Sequence, residues 1–416
     1  MLKGPIALAT IRTSFVLGLR LMVQAGTLLL VARMLGPEQF GAFAGIAALA
    51  VLLGTLSTCG MHLVLLGEVS KDSSRREQVL PSAIPCTLLC GSVLLMAYLL
   101  LCAFVLHEAN TSLAVLLNIG IAEIILLPLL GLPAFEHQAL GRIARSQLLL
   151  VFPLILRLVA VMAVILWSPD DPLIVFGYLY CFTAVIALIV AFSTMSTPWP
   201  RPSAWRLPSK AQWHQAKGYG VLAITAAGPT ELDKMLAIKL LPPMTGGLYA
   251  AGSRVISAAT LPVIAMMQSA LPRLFRESQE QPERTVRLLR WIFSITLAYS
   301  TVLATALWFA APIFSWLFGE RYDGIEYIIH WLCLAVPGMA LRIAAGSTLM
   351  AIGKPWMRAG FEVAGLVSML IAAIIFTHYI GIIGMPLALA CSEWTMAILG
   401  CYLVVSTNQK TAKVMV

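Results

Sequence analysis

Long apolar segments, separated by short polar or charged stretches, repeat along almost the whole chain. Each segment is about 20 residues or longer, the length that a helix needs to cross a bilayer. Transmembrane β-strands would instead alternate apolar and polar positions. The pattern therefore predicts an all-α integral membrane protein. Its twelve transmembrane helices are predicted at residues 8–32, 41–66, 79–105, 112–134, 146–167, 172–193, 216–240, 246–271, 288–313, 324–350, 357–378 and 380–405.

Lysine and arginine collect in alternate loops between the predicted helices. The loops of one side hold most of them, whereas the other side holds only Arg33, Lys239 and Arg321. Because basic loops stay in the cytoplasm, this alternation predicts that both termini are cytoplasmic. The chain is 60% hydrophobic and 11% charged, with a net charge of +9. Since the basic loops account for this charge, it does not indicate a nucleic-acid partner.

Two of the predicted loops are longer than the others. Residues 201–215 contain Pro202 and Pro208 and come directly after Pro198 and Pro200. They are predicted to form a cytoplasmic linker between two lobes of six helices each. The N-terminal lobe then covers residues 1–200 and the C-terminal lobe residues 216–416. The second loop, about residues 272–287, alternates charged and apolar residues, which predicts an amphipathic segment on the membrane surface.

The two predicted lobes share short sequence similarities. Residues 32–43 read ARMLGPEQFGAF and residues 238–249 read IKLLPPMTGGLY, so that Leu-x-Pro and a later glycine coincide. The loops after the fourth and tenth predicted helices contain ALGR and AIGK, at residues 139–142 and 351–354. Parallel repeats of six helices are typical of transporters with a central path between their halves. The similarities predict two pseudo-symmetric six-helix bundles around a central cavity.

Four segments resemble a known family. They are ARMLGPEQFGAFAGIAAL, from residue 32, ELDKMLAIKLLPPMTGGLYAAGSRV, from residue 231, LFGERYDG, from residue 317, and AIGKPWMR, from residue 351. In order and spacing they are similar to the landmarks of bacterial polysaccharide repeat-unit flippases. These are the Wzx-type members of the multidrug/oligosaccharidyl-lipid/polysaccharide exporter superfamily, and the resemblance extends over essentially the whole chain.

This resemblance implies a function. It implies alternating access that moves an oligosaccharide repeat unit on undecaprenyl pyrophosphate across the bacterial cytoplasmic (inner) membrane, for O-antigen, capsule or another polysaccharide. The implied partners are the lipid-linked oligosaccharide, membrane lipids, a polysaccharide polymerase and a chain-length regulator. Nucleic acid is not among them.

Charged residues inside the predicted helices are the candidate site, because they are costly in a bilayer and usually line a cavity. Arg20 lies about 18 Å along the first helix. Together with Gln24 and Thr27 it forms a polar stripe, and guanidinium, amide and hydroxyl groups suit a pyrophosphate–sugar substrate. The alternative is that Arg20 pairs with Glu123 or Glu393 and only holds helices together.

Further candidates lie in other predicted helices. Arg254 is the second candidate for the pyrophosphate, followed by Arg342 and Arg157, with structural ion pairs as the alternative for each. The seventh helix contains Pro229, which is expected to bend it, followed by several charged residues. Glu231 and Lys234, three residues apart, are expected to neutralise each other. The predicted ion-coupling residues are Asp233, Glu231 and Glu123.

Several rival functions are considered. A multidrug exporter or peptidoglycan-precursor exporter of the same superfamily is the first, but the first helix has no acidic residue, which most multidrug members carry there, and helices thirteen and fourteen of some peptidoglycan-precursor flippases are missing. A membrane glycosyltransferase or polymerase would have a substantial extramembrane loop, and a non-transporting scaffold has no evident need for charges inside the spans.

No catalytic or cofactor motif stands out. P-loop, HExxH, GxSxG and dinucleotide-binding patterns are absent from the sequence, so the protein is not expected to be an enzyme or to hold a cofactor. The 8 cysteines form no CxxC and no Cys/His group, and no metal site is predicted. Cys86 and Cys90 lie one helical turn apart and are interpreted as packing residues.

Overall fold

The computed structural model describes residues 5–105, 111–195, 199–264, 266–267 and 282–414, and these ranges contain helices but no β-strand. The chain divides into two compact units, Met1–Ala227 and Gly228–Val416. The predicted linker at 201–215 lies before this division, so the predicted lobe boundary stays a prediction. Part of the predicted surface segment, residues 272–281, lies outside the described residues.

The first unit is built from α-helices. The helices are α1 (Pro5–Ser57), α2 (Met61–Lys71), α3 (Arg76–Val105), α4 (Leu113–Gly120), α5 (Leu127–Ala139), α6 (Ile143–Trp167), α7 (Pro172–Ser193) and α8 (Lys210–Leu240), the last of which ends in the second unit. A π-helical turn, Ile121–Leu126, joins α4 to α5 without a loop.

The second unit has the same kind of architecture. Its helices are α9 (Pro243–Ala259), α10 (Pro282–Phe318), α11 (Ile325–Leu332), α12 (Val336–Ala351), α13 (Pro355–Ile380) and α14 (Gly384–Val414). A 3-10 turn, Cys333–Ala335, joins α11 to α12, because Pro337 removes a backbone donor at that point. Proline at the start of α9 and α13 fits the first helical turn, where its missing N–H costs nothing.

The predicted membrane helices are confirmed. In the described part of the chain, nine helical stretches are long and apolar enough to cross a membrane. Two of these stretches, Gly18–Ser57 and Pro355–Thr407, each contain a break and cover two predicted helices. The predicted seventh helix is α8, which is not among the nine because lysine, glutamine and acidic residues run along it. The chain is therefore a multi-pass α-helical membrane protein.

One predicted boundary needs correction. The break between the first and second predicted helices lies where it is expected, because Gly36, between residues 32 and 41, has a non-helical φ of 72° and ψ of 170°. The second predicted helix, 41–66, is instead interrupted further on, where Cys59 and Gly60 have positive φ between α1 and α2. The apolar pattern continues through Cys59, so it could not locate this second break, whereas Gly36 lies in the polar segment 33–39.

Large apolar side chains cover the outer surfaces of both units. Phe104, Leu166 and Trp316 are more than three-quarters exposed, an arrangement that a soluble protein avoids and a lipid bilayer accepts. Small residues and apolar clusters fill the interiors, such as the cluster of Met61, Leu65 and their neighbours in the first unit. The helices therefore present apolar surface outward and bury their charged residues inward.

Candidate functional site

A buried ion pair lies in the first unit between Glu123 and Arg157 of α6. Arg157 Nη2 is 2.9 Å from Glu123 Oε1, and both side chains are less than a tenth exposed. Tyr180 of α7 donates its hydroxyl to the same carboxylate oxygen. The Arg157 guanidinium carbon also lies 3.6 Å from the centroid of the Tyr180 ring. These contacts offset part of the cost of burying two charges, since Arg157 Nε and Nη2 make no hydrogen bond with the described residues.

The local sequence positions Glu123 through a π-helical turn and two glycines. Glu123 is the third residue of the turn Ile121–Leu126, and turns of this kind are frequent at functional sites. A Cβ atom at Gly54 of α1 would overlap the carbonyl oxygen of Glu123, and one at Gly91 of α3 would lie 3.1 Å from the carbonyl oxygen of Ile124. Only residues without a side chain let α1 and α3 approach the turn so closely.

The second unit contains a cluster of charged residues on α8 and α9. Arg254 of α9 binds Glu231 of α8 through both guanidinium nitrogens, at 3.1 and 3.4 Å. Lys234 Nζ lies 3.0 Å from Asp233 Oδ1, and the hydroxyl of Tyr249 donates to Asp233 Oδ2 at 3.1 Å. Lys234 is almost fully buried, whereas the Arg254 side chain is 33% exposed. The two acids and two bases balance in charge.

This geometry adds closer partners to the predicted pair within α8. Lys234 is 3.0 Å from Asp233 but 4.0 Å from Glu231, so its closer partner is the adjacent aspartate. Glu231 instead makes its shorter contact with Arg254, 3.1 Å away. The expected contact between Glu231 and Lys234 is therefore present at 4.0 Å, but each of the two residues has a closer partner. The i, i+3 rule considers one helix alone, and the neighbouring helix supplies a better partner here.

A second buried pair in this unit joins α12 to α14. Arg342 Nε lies 2.6 Å from Glu393 Oε2, and the two side chains are 5% and 0% exposed. Gly338, one turn before Arg342, packs directly on the Glu393 backbone, where a Cβ would come within 3.1 Å. On α13, Arg358 Nε lies 2.9 Å from Glu362 Oε1, one helical turn further on. Both glutamates therefore lie buried beside an arginine.

The stripe on α1 differs from these pairs in its exposure. Arg20 and Thr27 are half-buried and Gln24 is exposed. Thr27 donates its hydroxyl to the carbonyl oxygen of Val23 within the helix. The described residues supply Arg20 with no carboxylate within ion-pair distance, and both Glu123 and Glu393 are engaged by other arginines. The stripe can therefore offer a cation and an amide to an anionic, hydroxyl-bearing ligand.

Sequence reasoning missed the aromatic and glycine partners of the site. Tyr180 and Tyr249 each donate to a buried carboxylate, yet neither stands at a spacing from Glu123 or Asp233 that reveals the contact. Arg358 and Glu362 are four residues apart in one helix, so their pair could have been found from the sequence. The glycines that admit the π-helical turn gave no signal, because glycine is common in membrane helices.

The chain resembles several solved structures over nearly its whole length. An inward-facing multidrug resistance MATE family transporter of the MOP superfamily gives a TM-score of 0.78 at 14% identity, covering 97% of this chain and 99% of that one. The lipid II flippase MurJ, in an inward closed conformation, gives 0.74 at 14% identity, covering 95% and 87%. A MOP superfamily transporter from Pyrococcus furiosus gives 0.68 at 15% identity, covering 96% and 95%.

The similarity to these solved structures shows the fold of the chain, and a match of its sequence to a family shows the family. No curated protein matches the chain. The family described as polysaccharide biosynthesis protein matches residues 9–278, which is more than half of the chain. The match agrees with the resemblance seen in the sequence and with the transporter fold. The chain has the fold of the solved MOP-superfamily transporters, and it belongs to the polysaccharide biosynthesis protein family.

Proposed function

We propose that the protein is a flippase that moves undecaprenyl-pyrophosphate-linked oligosaccharide repeat units across the cytoplasmic membrane by alternating access. The family to which the chain belongs acts in polysaccharide biosynthesis, and a solved structure with the same fold is a lipid II flippase. Its membrane is the bacterial inner membrane, with both termini in the cytoplasm, as the basic loops favour. A polysaccharide polymerase and a chain-length regulator are the proposed partners downstream.

This proposal rests mainly on the exposure of the Arg20 side chain. A charged side chain in the middle of a bilayer is costly unless it meets water, an opposite charge or a polar cavity. Arg157 and Arg342 meet a glutamate each inside their units. Arg20 is half-buried, with no described carboxylate in ion-pair distance and with exposed Gln24 one turn away. A pyrophosphate supplies the missing negative charge, and sugar hydroxyls suit the amide of Gln24.

The other candidate arginines differ in how exposed their side chains are. The side chain of Arg254 is 33% exposed and is held by Glu231 through both guanidinium nitrogens, so one edge remains for a ligand. Arg254 is therefore the second proposed pyrophosphate ligand. The burial of Arg157 and Arg342 favours a structural role for both. We therefore rank Arg157 and Arg342 below Arg20 and Arg254 as candidate substrate ligands.

The carboxylates of α8 are the proposed coupling groups. Asp233 accepts hydrogen bonds from Lys234 and Tyr249, and Glu231 accepts two from Arg254. A proton or cation that binds one of these carboxylates weakens its hold on the basic partner, and this changes which groups face the substrate. Glu123 is the remaining candidate, but its hydroxyl and guanidinium donors favour a permanent ion pair.

The test is flipping by the pure protein in liposomes, with a fluorescent undecaprenyl-pyrophosphate oligosaccharide. We expect the wild type to move the lipid to the far leaflet, Arg20→Ala to lose most of the rate and Arg20→Lys to retain part of it. Arg33→Ala is the matched control, since Arg33 is exposed at the end of the same helical stretch. Wild-type rates in folded Arg20→Ala would refute the assigned role of Arg20.

The same liposomes separate the rival functions. The MATE transporter fold favours a multidrug exporter as the second candidate. Proton movement stimulated by cationic drugs, without movement of the lipid-linked oligosaccharide, would establish that function in place of ours. Transport of lipid II in preference to the oligosaccharide would indicate a peptidoglycan-precursor flippase. Incorporation of sugar by the pure protein would indicate a glycosyltransferase or polymerase.

A further inference from the structure

Three cysteine side chains of the first unit lie together, although they are far apart in the sequence. Cys86 and Cys90 are four residues apart on α3 and project from the same face of that helix. Cys59 lies in the turn between α1 and α2. The three Sγ atoms all lie within 4.8 Å of one another, and those of Cys59 and Cys90 are 3.1 Å apart.

The turn that carries Cys59 has an unusual backbone. Cys59 has a φ of 47°, in the left-handed region that residues with a side chain seldom adopt, and Gly60 follows with a φ of 81°. The Cys59 N–H donates to the Leu56 carbonyl oxygen at 2.7 Å, which closes the turn. A glycine would satisfy this backbone with less strain than cysteine. The chain instead keeps a thiol there, directed at the two thiols of α3.

The surroundings of the three thiols are apolar on one side. Cys86 is buried in the cluster that contains Met61, Leu65 and Ala83, while Cys59 and Cys90 are half-buried at its edge. No other histidine, cysteine or acidic side chain in the described part of the chain joins this group of donor atoms. The result is a compact set of three sulfur ligands with a partly open side.

We propose that Cys59, Cys86 and Cys90 form a binding site for Cu(I). Thiolate sulfur is a soft ligand that selects soft metal ions such as Cu(I). Zn²⁺ in structural sites requires a fourth protein ligand, which the described residues do not supply here, whereas Cu(I) is stable with three sulfur ligands. On binding, each coordinating thiol gives its proton to the solvent as its Cu–S bond forms, with no change in the oxidation state of copper or sulfur. The ion then ties the turn between α1 and α2 to α3.

Copper titration of the pure protein in nanodiscs, under anaerobic and reducing conditions with a chromogenic Cu(I) chelator as competitor, tests the site. We expect the wild type to hold one Cu(I) per chain against the chelator. Cys59→Ala and the double variant Cys86→Ala/Cys90→Ala should fall to background. Cys102→Ala is the matched control, because Cys102 is also buried on α3 but lies about 18 Å further along it than Cys90. It should bind copper like the wild type.

A second readout uses only the wild type, so it holds even if a variant misfolds. Bound Cu(I) should protect these three cysteines, and no others, from alkylation detected by mass spectrometry. X-ray absorption spectroscopy at the copper edge should show sulfur atoms at the roughly 2.3 Å typical of metal–thiolate bonds. Full copper retention in both variants would overturn the proposal, as would absence of binding in the wild type. A Cys59–Cys90 disulfide in the reduced, metal-free protein, or tighter binding of Zn²⁺ than of Cu(I), would also overturn it.

Discussion

Replacing Glu393 by alanine leaves the Arg342 guanidinium buried without its partner. The pair is 2.6 Å long, and the side chains are 5% and 0% exposed, so water cannot take over the role of the carboxylate. Breaking a buried pair from one side costs about 3–5 kcal/mol, because an uncompensated charge stays in a low-dielectric environment. We expect Glu393→Ala, and equally Arg342→Ala, to lose stability in that range.

The loss should depend on the unpaired charge rather than on the missing contact. Replacing both residues by apolar ones of similar size, in Arg342→Met/Glu393→Leu, removes both charges together. Such a double replacement is often neutral or stabilising by about 1–4 kcal/mol in buried sites. The double variant is therefore expected to be more stable than either single alanine variant. With Arg342→Met and Glu393→Leu also measured singly, the coupling free energy between the two positions identifies the ion pair.

Thermal unfolding in detergent micelles, followed by the fluorescence of the 10 tryptophans, measures these effects. A loss of 3–5 kcal/mol corresponds to a lower Tm by roughly 6–20 °C, at the scale known for domains of about 150–250 residues. Lys71→Ala is the control, because Lys71 pairs with Glu68 at 2.9 Å but is 65% exposed and should contribute less than about 1 kcal/mol. If the single variants at the buried pair melt within 1–2 °C of the control, the reasoning about buried charge is wrong.

Three further predictions concern local structure, each measured by the same thermal unfolding. Gly54→Ala should cost about 1–3 kcal/mol because its Cβ overlaps the backbone of the π-helical turn, whereas Gly67→Ala, with open space around it, should be neutral or stabilising by about 0.5–1 kcal/mol. Tyr180→Phe removes a donor to a buried carboxylate and should cost about 1.5–3 kcal/mol, whereas Tyr98→Phe removes a buried hydroxyl whose hydrogen-bonding neighbour is the weakly polar thiol of Cys102 and should be nearly neutral. Gly36→Ala should cost about 1–3 kcal/mol, because its φ and ψ are open to glycine almost alone.

Each of these predictions has a result that contradicts it. Equal stability of Gly54→Ala and Gly67→Ala would mean that α1 and the π-helical turn can separate without cost. A loss in Tyr98→Phe as large as that in Tyr180→Phe would mean that the carboxylate contact is not the source of the effect. If Gly36→Ala matches Gly18→Ala, which lies in the same helical stretch with open space around it, the break in α1 does not require glycine.

The membrane helices could be predicted from the sequence because their signal is long and redundant. In the segment that becomes α6, for example, a run of apolar residues about 20 long is interrupted within the span only by Arg157 and a proline. Removing or adding one apolar residue does not change such a prediction. The break at Gly36 could be predicted, because it lies in the polar segment 33–39. The break at Cys59 depends on a local backbone conformation inside a continuous apolar run, and hydrophobicity carries no information about it.

The partners of the buried charges could be predicted only within a helix. Arg358 and Glu362 lie one turn apart, so helix geometry alone brings them together. The contacts of Arg254 with Glu231 and of Arg342 with Glu393 depend on how different helices pack and rotate. Several acidic residues compete for each arginine at the sequence level. The sequence therefore identifies which residues carry the charge, whereas the packing decides which of them remain accessible.

The π-helical turn at Glu123 has a consequence for the evolution of the chain. A π turn holds one more residue than an α-helical turn, and that extra residue rotates everything after it by about 100° around the helix axis. The faces of α4 and α5 are therefore out of phase by one residue. A homologue with an ordinary α-helix here would be one residue shorter, and its alignment with this chain would show a single-residue gap between positions 121 and 126. Such a gap in the middle of a membrane helix would record the insertion that brought the carboxylate to its present place.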